Sequence, residues 1–190
     1  MTACLRFCLG AWLALLVSAP PAEAADYGFR ILRAELKPDA SGKAFRLDAD
    51  IDYRFSEPAL DALRNGVSLT LVLRLTLKRE RPWWWDATVL DETRPFRIRY
   101  HALSKLYQIL DGDGETLRNF VSVNALLEAM GMVRGLPVAQ ALPLRAGERY
   151  RASLAVGLDI ESLPLPLRPV AYVTPAWYLD SPVYRWPFAN

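Results

Sequence analysis

Side chains alternate strictly between apolar and charged along one segment of the chain, and this pattern constrains the fold more than any other feature. The apolar positions are Phe45, Leu47, Ala49, Ile51, Tyr53 and Phe55, and the charged positions between them are Arg46, Asp48, Asp50, Asp52 and Arg54. Successive side chains of a β-strand point to opposite faces, so the pattern predicts a strand with one buried face. Residues 67–77 and 150–160 repeat it.

Weaker strand patterns and turn signals occupy much of the remaining chain. We predict strands at residues 29–36, 86–91, 96–103, 106–110 and 115–121, the first with a bulge where its alternation shifts phase. A hairpin turn at residues 111–114 joins the last two, because its Asp-Gly pairs favour the positive φ of tight turns. Residues 139–147 predict a long loop, and the proline-rich residues 163–169 predict an extended connection.

Two short helices interrupt the predicted strands. Ser56 is a good N-cap for one that ends at Asn65 and Gly66, and Ser122 precedes another at residues 123–130. Because every strand has an apolar face that another layer must cover, we predict an all-β fold: an immunoglobulin-like antiparallel β-sandwich with two short helices.

The N-terminus has the composition of a cleavable export signal. Arg6 provides the positive charge, an apolar stretch follows, and Ala22-Glu23-Ala24 has the form of a cleavage site. The apolar stretch is near half the length of a transmembrane helix, which favours cleavage over retention as an anchor. We therefore predict a signal peptide at residues 1–24, a single β-sandwich domain at residues 25–190, and a periplasmic location.

The residue types left after cleavage exclude several kinds of chemistry. Cys4 and Cys8 both lie in the predicted signal, and His101 is the only histidine, so thiol catalysis and Cys/His metal clusters are excluded. The chain has neither a Gly-x-Ser-x-Gly motif nor a glycine-rich phosphate loop. Its net charge of +2 is spread along the chain, which does not favour nucleic-acid binding. We predict no enzymatic activity, catalytic residue, metal or cofactor.

A row of aspartates leaves one alternative open. Asp48, Asp50 and Asp52 share one face of a predicted strand at steps of about 7 Å. They are either an ordinary charged surface or the site of a carbohydrate-acting or calcium-dependent protein with tryptophan platforms. Cross-strand cations would favour the ordinary surface, and the candidates are Arg30, Arg33, Arg74 and Lys78.

Three consecutive tryptophans mark the most promising surface. They cannot all face the core of a strand, so at least one indole should be exposed. In one interpretation Trp83 and Trp85 cap the core while Trp84 packs on the far face. In the other an exposed indole docks a partner protein, a glycan or the membrane interface. The predicted binding residues are Arg81, Trp83, Trp84, Trp85 and Asp86.

Several separated motifs resemble one known family. They are Asn65-Gly66-Val67, Trp83 to Asp86, Arg99 to Ser104 with Tyr107, Leu163 to Arg168, and Trp177-Tyr178-Leu179-Asp180-Ser181. Together they resemble the proteobacterial domain-of-unknown-function family 4390. The resemblance implies an exported protein without assigned activity, with genes often beside that of a membrane sensor histidine kinase, which is therefore one candidate partner. We predict an exported binding or accessory module that contacts another envelope protein.

Overall fold

A computed structural model describes residues 27–39, 44–81, 85–111, 113–140, 142, 144–145 and 147–188. The predicted signal peptide lies outside these residues, and so do Trp83 and Trp84. Within the described residues the strands are β1 (Gly28–Pro38), β2 (Ala44–Arg54), β3 (Leu69–Arg79), β4 (Ala87–His101), β5 (Leu106–Leu110), β6 (Thr116–Phe120), β7 (Met132–Gln140), β8 (Tyr150–Leu158) and β9 (Tyr184–Phe188). The helices are α1 (Glu57–Arg64), α2 (Val123–Gly131) and α3 (Arg168–Val173), with single 3-10 turns at Ile160–Ser162 and Pro175–Trp177.

The strands form two antiparallel sheets. The small sheet has the order β1-β2-β7, and the large sheet has the order β6-β5-β4-β3-β8-β9. β3 lies near the middle of the large sheet, paired with β4 on one side and β8 on the other. No helix in the described part of the chain is long and apolar enough to cross a membrane.

The core lies between the buried faces of the two sheets. The predicted alternation of β2 is confirmed, since Leu47, Ala49 and Ile51 are buried while the charged residues between them are not. β3 presents a row of buried leucines to the same core, from Leu69 to Leu77. The all-β, two-sheet prediction is therefore confirmed, and the narrower immunoglobulin-like assignment stays a prediction.

Two local predictions for the strands had different outcomes. The bulge in β1 is confirmed, because its register against β2 shifts between Ile31 and Arg33. The two strands predicted at 86–91 and 96–103 are instead one long strand, β4. Pro95 lies at a position of this strand that pairs with β3 alone, since β5 pairs with β4 only from Arg97 onward.

The prediction of two helices was too low, because the structure contains a third, α3. It begins at Arg168, and the residues before it form a turn in which the Leu167 N–H donates to the Pro164 carbonyl at 2.9 Å, so the prediction of an extended connection was wrong. Pro169 lies in the first turn of α3, where a missing N–H costs no hydrogen bond. Ser122 caps α2 through its side chain as predicted, accepting from the Ala125 N–H at 3.2 Å. Ser56 occupies the N-cap position of α1 as predicted, but its side chain does not cap the helix, because its hydroxyl donates to the Ala176 carbonyl at 2.6 Å.

The aromatic end of the core contains an unpaired hydroxyl group. The Tyr53 ring packs edge-on against Phe29 with centroids 4.9 Å apart, and its hydroxyl has no hydrogen-bond partner among the described residues. Burial raises the pKa of Tyr53 far above its ordinary value. We expect Tyr53→Phe to increase the free energy of unfolding by about 1 kcal/mol in urea denaturation, because it removes an unsatisfied buried group and keeps the ring.

Tyr150 provides the matched control for this substitution. It is equally buried, but its hydroxyl accepts a hydrogen bond from the Arg145 backbone N–H at 2.8 Å. Tyr150→Phe should therefore lower the free energy of unfolding by about 1 kcal/mol. Equal losses in both variants would contradict the assignment of Tyr53 as unpaired.

Candidate functional site

A basic groove with a cavity volume of about 580 Å³ lies at one end of the large sheet. It forms where β3 ends and β8 begins, because Arg79 and Tyr150 pair in register. The Glu80 N–H donates to the Arg149 carbonyl at 2.9 Å and so extends this pairing past both strands. The arginines that line the groove are Arg79, Arg81, Arg145, Arg149 and Arg151, and the acidic residues are Glu80, Asp86 and Glu148.

Two glutamates hold part of the groove in place. Arg79 is largely buried, and its Nε lies 3.0 Å from the Glu148 carboxylate. Arg151 forms a close ion pair with Glu80. The Arg145 backbone is also held by its hydrogen bond to the Tyr150 hydroxyl. These contacts give the floor of the groove a defined arrangement and neutralise two of its guanidinium groups.

The other three arginines are not held by close pairs. Arg145 lies 3.8 Å from Glu148 and Arg149 lies 3.9 Å from Glu80, both beyond hydrogen-bond distance. Their side chains are 70% and 83% exposed. Arg81 is exposed as well and has no polar partner among the described residues. The groove thus presents three guanidinium groups with donors available to a ligand.

Trp85 extends this surface with an aromatic side chain. It is 93% exposed and directly precedes Asp86, which lines the groove. The interpretation in which Trp85 caps the core was therefore wrong, because β4 begins only at Ala87 and strand alternation does not reach back to residue 85. The expectation of at least one exposed indole is confirmed. Trp83 and Trp84 lie outside the described residues.

Sequence reasoning found one wall of the groove and missed the other. It singled out Arg81, Trp85 and Asp86, all of which are exposed here. It did not connect them with Arg145 and Arg149, which are 59 to 68 positions away in the chain. The strand pairing of β3 with β8 brings the two walls together.

The aspartate row on β2 has different partners from those predicted. Asp48 accepts hydrogen bonds from the Gly135 N–H at 2.7 Å and from Lys37 Nζ at 3.1 Å. The Gly135 hydrogen bond, followed by that of Lys37, lowers the pKa of the Asp48 carboxyl. The remaining pairs are Asp50 with Arg134 and Asp52 with Arg54.

Three of the predicted cations lie elsewhere or have another partner: Arg33 pairs with Glu35 at 2.9 Å, and Arg74 and Lys78 belong to β3 in the other sheet. The fourth, Arg30, lies opposite Asp52 in the register of β1 and β2, but Asp52 pairs with Arg54. Every aspartate of the row thus has a cation or N–H partner. No three His, Cys, Asp or Glu side chains cluster as a metal site in the described parts of the chain. The row has the arrangement of a salt-bridged sheet surface, which does not favour the carbohydrate or calcium alternative.

His101 has a local structural role. It ends β4, and its Nδ1 lies 3.0 Å from the Ser104 hydroxyl and accepts the Ser104 backbone N–H at 3.3 Å. These contacts close the turn between β4 and β5. We find no acidic partner for the ring among the described residues.

The Trp177-to-Ser181 motif docks onto β8. Asp180 bridges to Gly157, and the Val156 N–H donates to the Ser181 hydroxyl at 3.0 Å. A Cβ on Gly157 would lie 1.9 Å from the Asp180 carboxylate, so a larger residue there would displace the Asp180 side chain. Burial raises the pKa of the Asp180 carboxyl, and the charge of Arg74 opposes that shift. The motif therefore has a structural role in attaching the C-terminal segment to the large sheet.

The fold and the groove together define the class of protein: an all-β, two-sheet domain with a basic groove at one end and an exposed indole beside it. The chain belongs to the family described as Domain of unknown function (DUF4390), whose model matches residues 27–187. The resemblance found in the sequence motifs is thereby confirmed. No curated protein and no solved structure matches the chain.

Proposed function

We propose that this protein is an exported periplasmic module that acts by binding another protein of the cell envelope, and that it is not an enzyme. The observation that carries the proposal is Trp85, whose indole is 93% exposed. Burying a tryptophan in an interface removes a large apolar area from water. An exposed indole that directly precedes a residue of an arginine-lined groove has the composition that the centres of protein interfaces favour.

The surroundings of Trp85 support a binding surface at this end of the sandwich. Arg81 and Asp86 are exposed on either side of it in the chain, and both line the basic groove. The predicted export signal supports an envelope location, and the family resemblance makes a membrane sensor histidine kinase one candidate partner. The predicted binding residues remain Arg81, Trp83, Trp84, Trp85 and Asp86.

We expect a photo-crosslinking amino acid at position 85 to capture one discrete partner in the intact cell envelope, identified by mass spectrometry. With that partner purified, Trp85→Ala should weaken binding by about tenfold or more, the loss typical of a central interface tryptophan. Binding is measured by titration calorimetry.

Leu103 provides the matched control for position 85. It is also 93% exposed, but it lies in the turn after β4. A crosslinker at position 103 should not capture the partner that position 85 captures. The Leu103→Ala variant should bind that partner with the affinity of the unaltered protein. The proposal fails if positions 85 and 103 capture the same proteins, or if Trp85→Ala binds the partner as tightly as the unaltered protein.

A further inference from the structure

We propose that the basic groove binds an acidic, extended polypeptide segment, whose carboxylates pair with Arg81, Arg145 and Arg149. This inference rests on the proposed function and names the chemistry of the partner segment. Its first support is charge: five arginines and three acidic residues line the groove, an excess of two positive charges. The net charge of the whole chain is also only +2, so the net charge of the groove lining equals that of the entire molecule.

The second support is the division of the arginines into held and available groups. Glu148 and Glu80 are occupied by Arg79 and Arg151, so these two carboxylates neutralise fixed cations at the floor. The guanidinium groups of Arg145 and Arg149 stand beyond hydrogen-bond distance from any carboxylate they approach. Arginine pairs with carboxylates through two parallel hydrogen bonds, which gives such contacts both strength and direction.

Asp86 is the one acidic lining residue that opposes an anionic ligand. It is exposed, and no polar partner for it occurs among the described residues. Asp86 directly follows Trp85 in the chain and adds a negative charge to the lining of the groove. An acidic segment that enters the groove should therefore present its carboxylates toward Arg145 and Arg149 and a neutral or basic residue toward Asp86.

The shape of the site favours a polypeptide over a membrane surface. The available arginines come from two separate segments that flank a recess, one after β3 and one before β8. Side-chain carboxylates can enter a recess, whereas the headgroups of a planar bilayer meet only its outermost residues. Binding to anionic lipid also typically uses a cluster of four to eight Lys or Arg residues, whereas three arginines of the groove are available to a ligand.

The test uses hexaglutamate as the probe, titrated into the purified protein at low ionic strength by calorimetry. We expect hexaglutamate to bind and hexaglutamine not to bind, with an affinity that falls as salt is added because the contacts are between charges. The triple variant Arg81→Glu, Arg145→Glu, Arg149→Glu should lose about tenfold or more of the affinity for hexaglutamate. The corresponding triple lysine variant keeps the charge but loses the paired hydrogen bonds, so its affinity should fall between those of the unaltered protein and the triple glutamate variant.

Arg97→Glu is the matched control. Arg97 is exposed on β4, ten residues and roughly 33 Å along the strand from the groove end at Ala87. It should bind hexaglutamate within about twofold of the unaltered protein, since its charge is beyond the screening length from the groove. Circular dichroism of every variant should show the β-sheet content of the unaltered protein.

Three results would overturn the inference. The first is that hexaglutamate does not bind. The second is that the triple glutamate variant and Arg97→Glu bind hexaglutamate with equal affinity. The third is that inorganic phosphate, or vesicles with 30% phosphatidylglycerol, saturate the groove and are not displaced by hexaglutamate. A partner captured at position 85 that binds the triple glutamate variant normally leaves the proposed function standing and refutes only the groove. If hexaglutamate binds but no partner is captured at position 85, the groove inference stands and the proposed function is refuted.

Discussion

Leu71→Ala is expected to lower the free energy of unfolding by about 3 kcal/mol. Leu71 is completely buried in β3, with Phe96 of β4 and Leu158 of β8 as its register partners. Truncation removes the apolar contacts of the side chain and leaves a cavity, and strands on both sides limit how far the site can collapse. The change is measured by urea denaturation followed by circular dichroism.

Lys78→Ala is the control for this substitution. Lys78 lies on the same strand, but its side chain is exposed on the outer face of the large sheet. Its loss should change the free energy of unfolding by no more than about 0.5 kcal/mol. A loss below about 1 kcal/mol for Leu71→Ala would contradict the central position of β3 in the core.

Gly131→Ala is expected to lower the free energy of unfolding by about 3 kcal/mol. Gly131 is the last residue of α2, and a Cβ there would lie 2.4 Å from the Ile51 carbonyl oxygen. Because this oxygen belongs to the backbone of β2, relief of the clash requires α2 and the small sheet to separate. In a solvent-exposed helix, a change from glycine to alanine would raise the free energy of unfolding by about 1 kcal/mol. The clash with β2 is therefore the reason that we expect a decrease here.

Glu128→Ala tests whether α2 itself tolerates alanine. Glu128 is exposed on the same helix, so this substitution should leave the free energy of unfolding within about 0.5 kcal/mol of the unaltered protein. The same thermal or urea unfolding experiment serves both variants. A Gly131→Ala protein as stable as Glu128→Ala would show that α2 does not approach β2 as closely as described.

Most strands could be predicted because they obey a period of two. β2, β3 and β8 each bury one face, and that face is visible as alternating apolar residues. β7 was missed for a physical reason. Its alternation is broken by Gly135, which has a φ of +59°, and by Pro137, and its register against β2 shifts between Leu47 and Ala49.

The candidate site was only half predictable. The tryptophan run drew attention to Arg81 and Asp86, because three adjacent aromatic residues conflict with strand alternation. Which indole is exposed depends on where β4 begins, and element boundaries carry little signal in a single sequence. The contribution of Arg145 and Arg149 depends on a strand pairing between distant parts of the chain, which no local pattern encodes.

The pairing of β3 with β8 also has a consequence for how the chain reaches this structure. Arg79 pairs with Tyr150 and Leu71 with Leu158, so this ladder joins residues 71 to 87 positions apart. Contacts between distant positions are formed only after a large loss of chain entropy, and proteins rich in them fold slowly. Until β8 pairs with it, the leucine-rich β3 has unpaired backbone N–H and C=O groups along one edge. Folding speed, rather than final stability, is therefore the property that this topology limits.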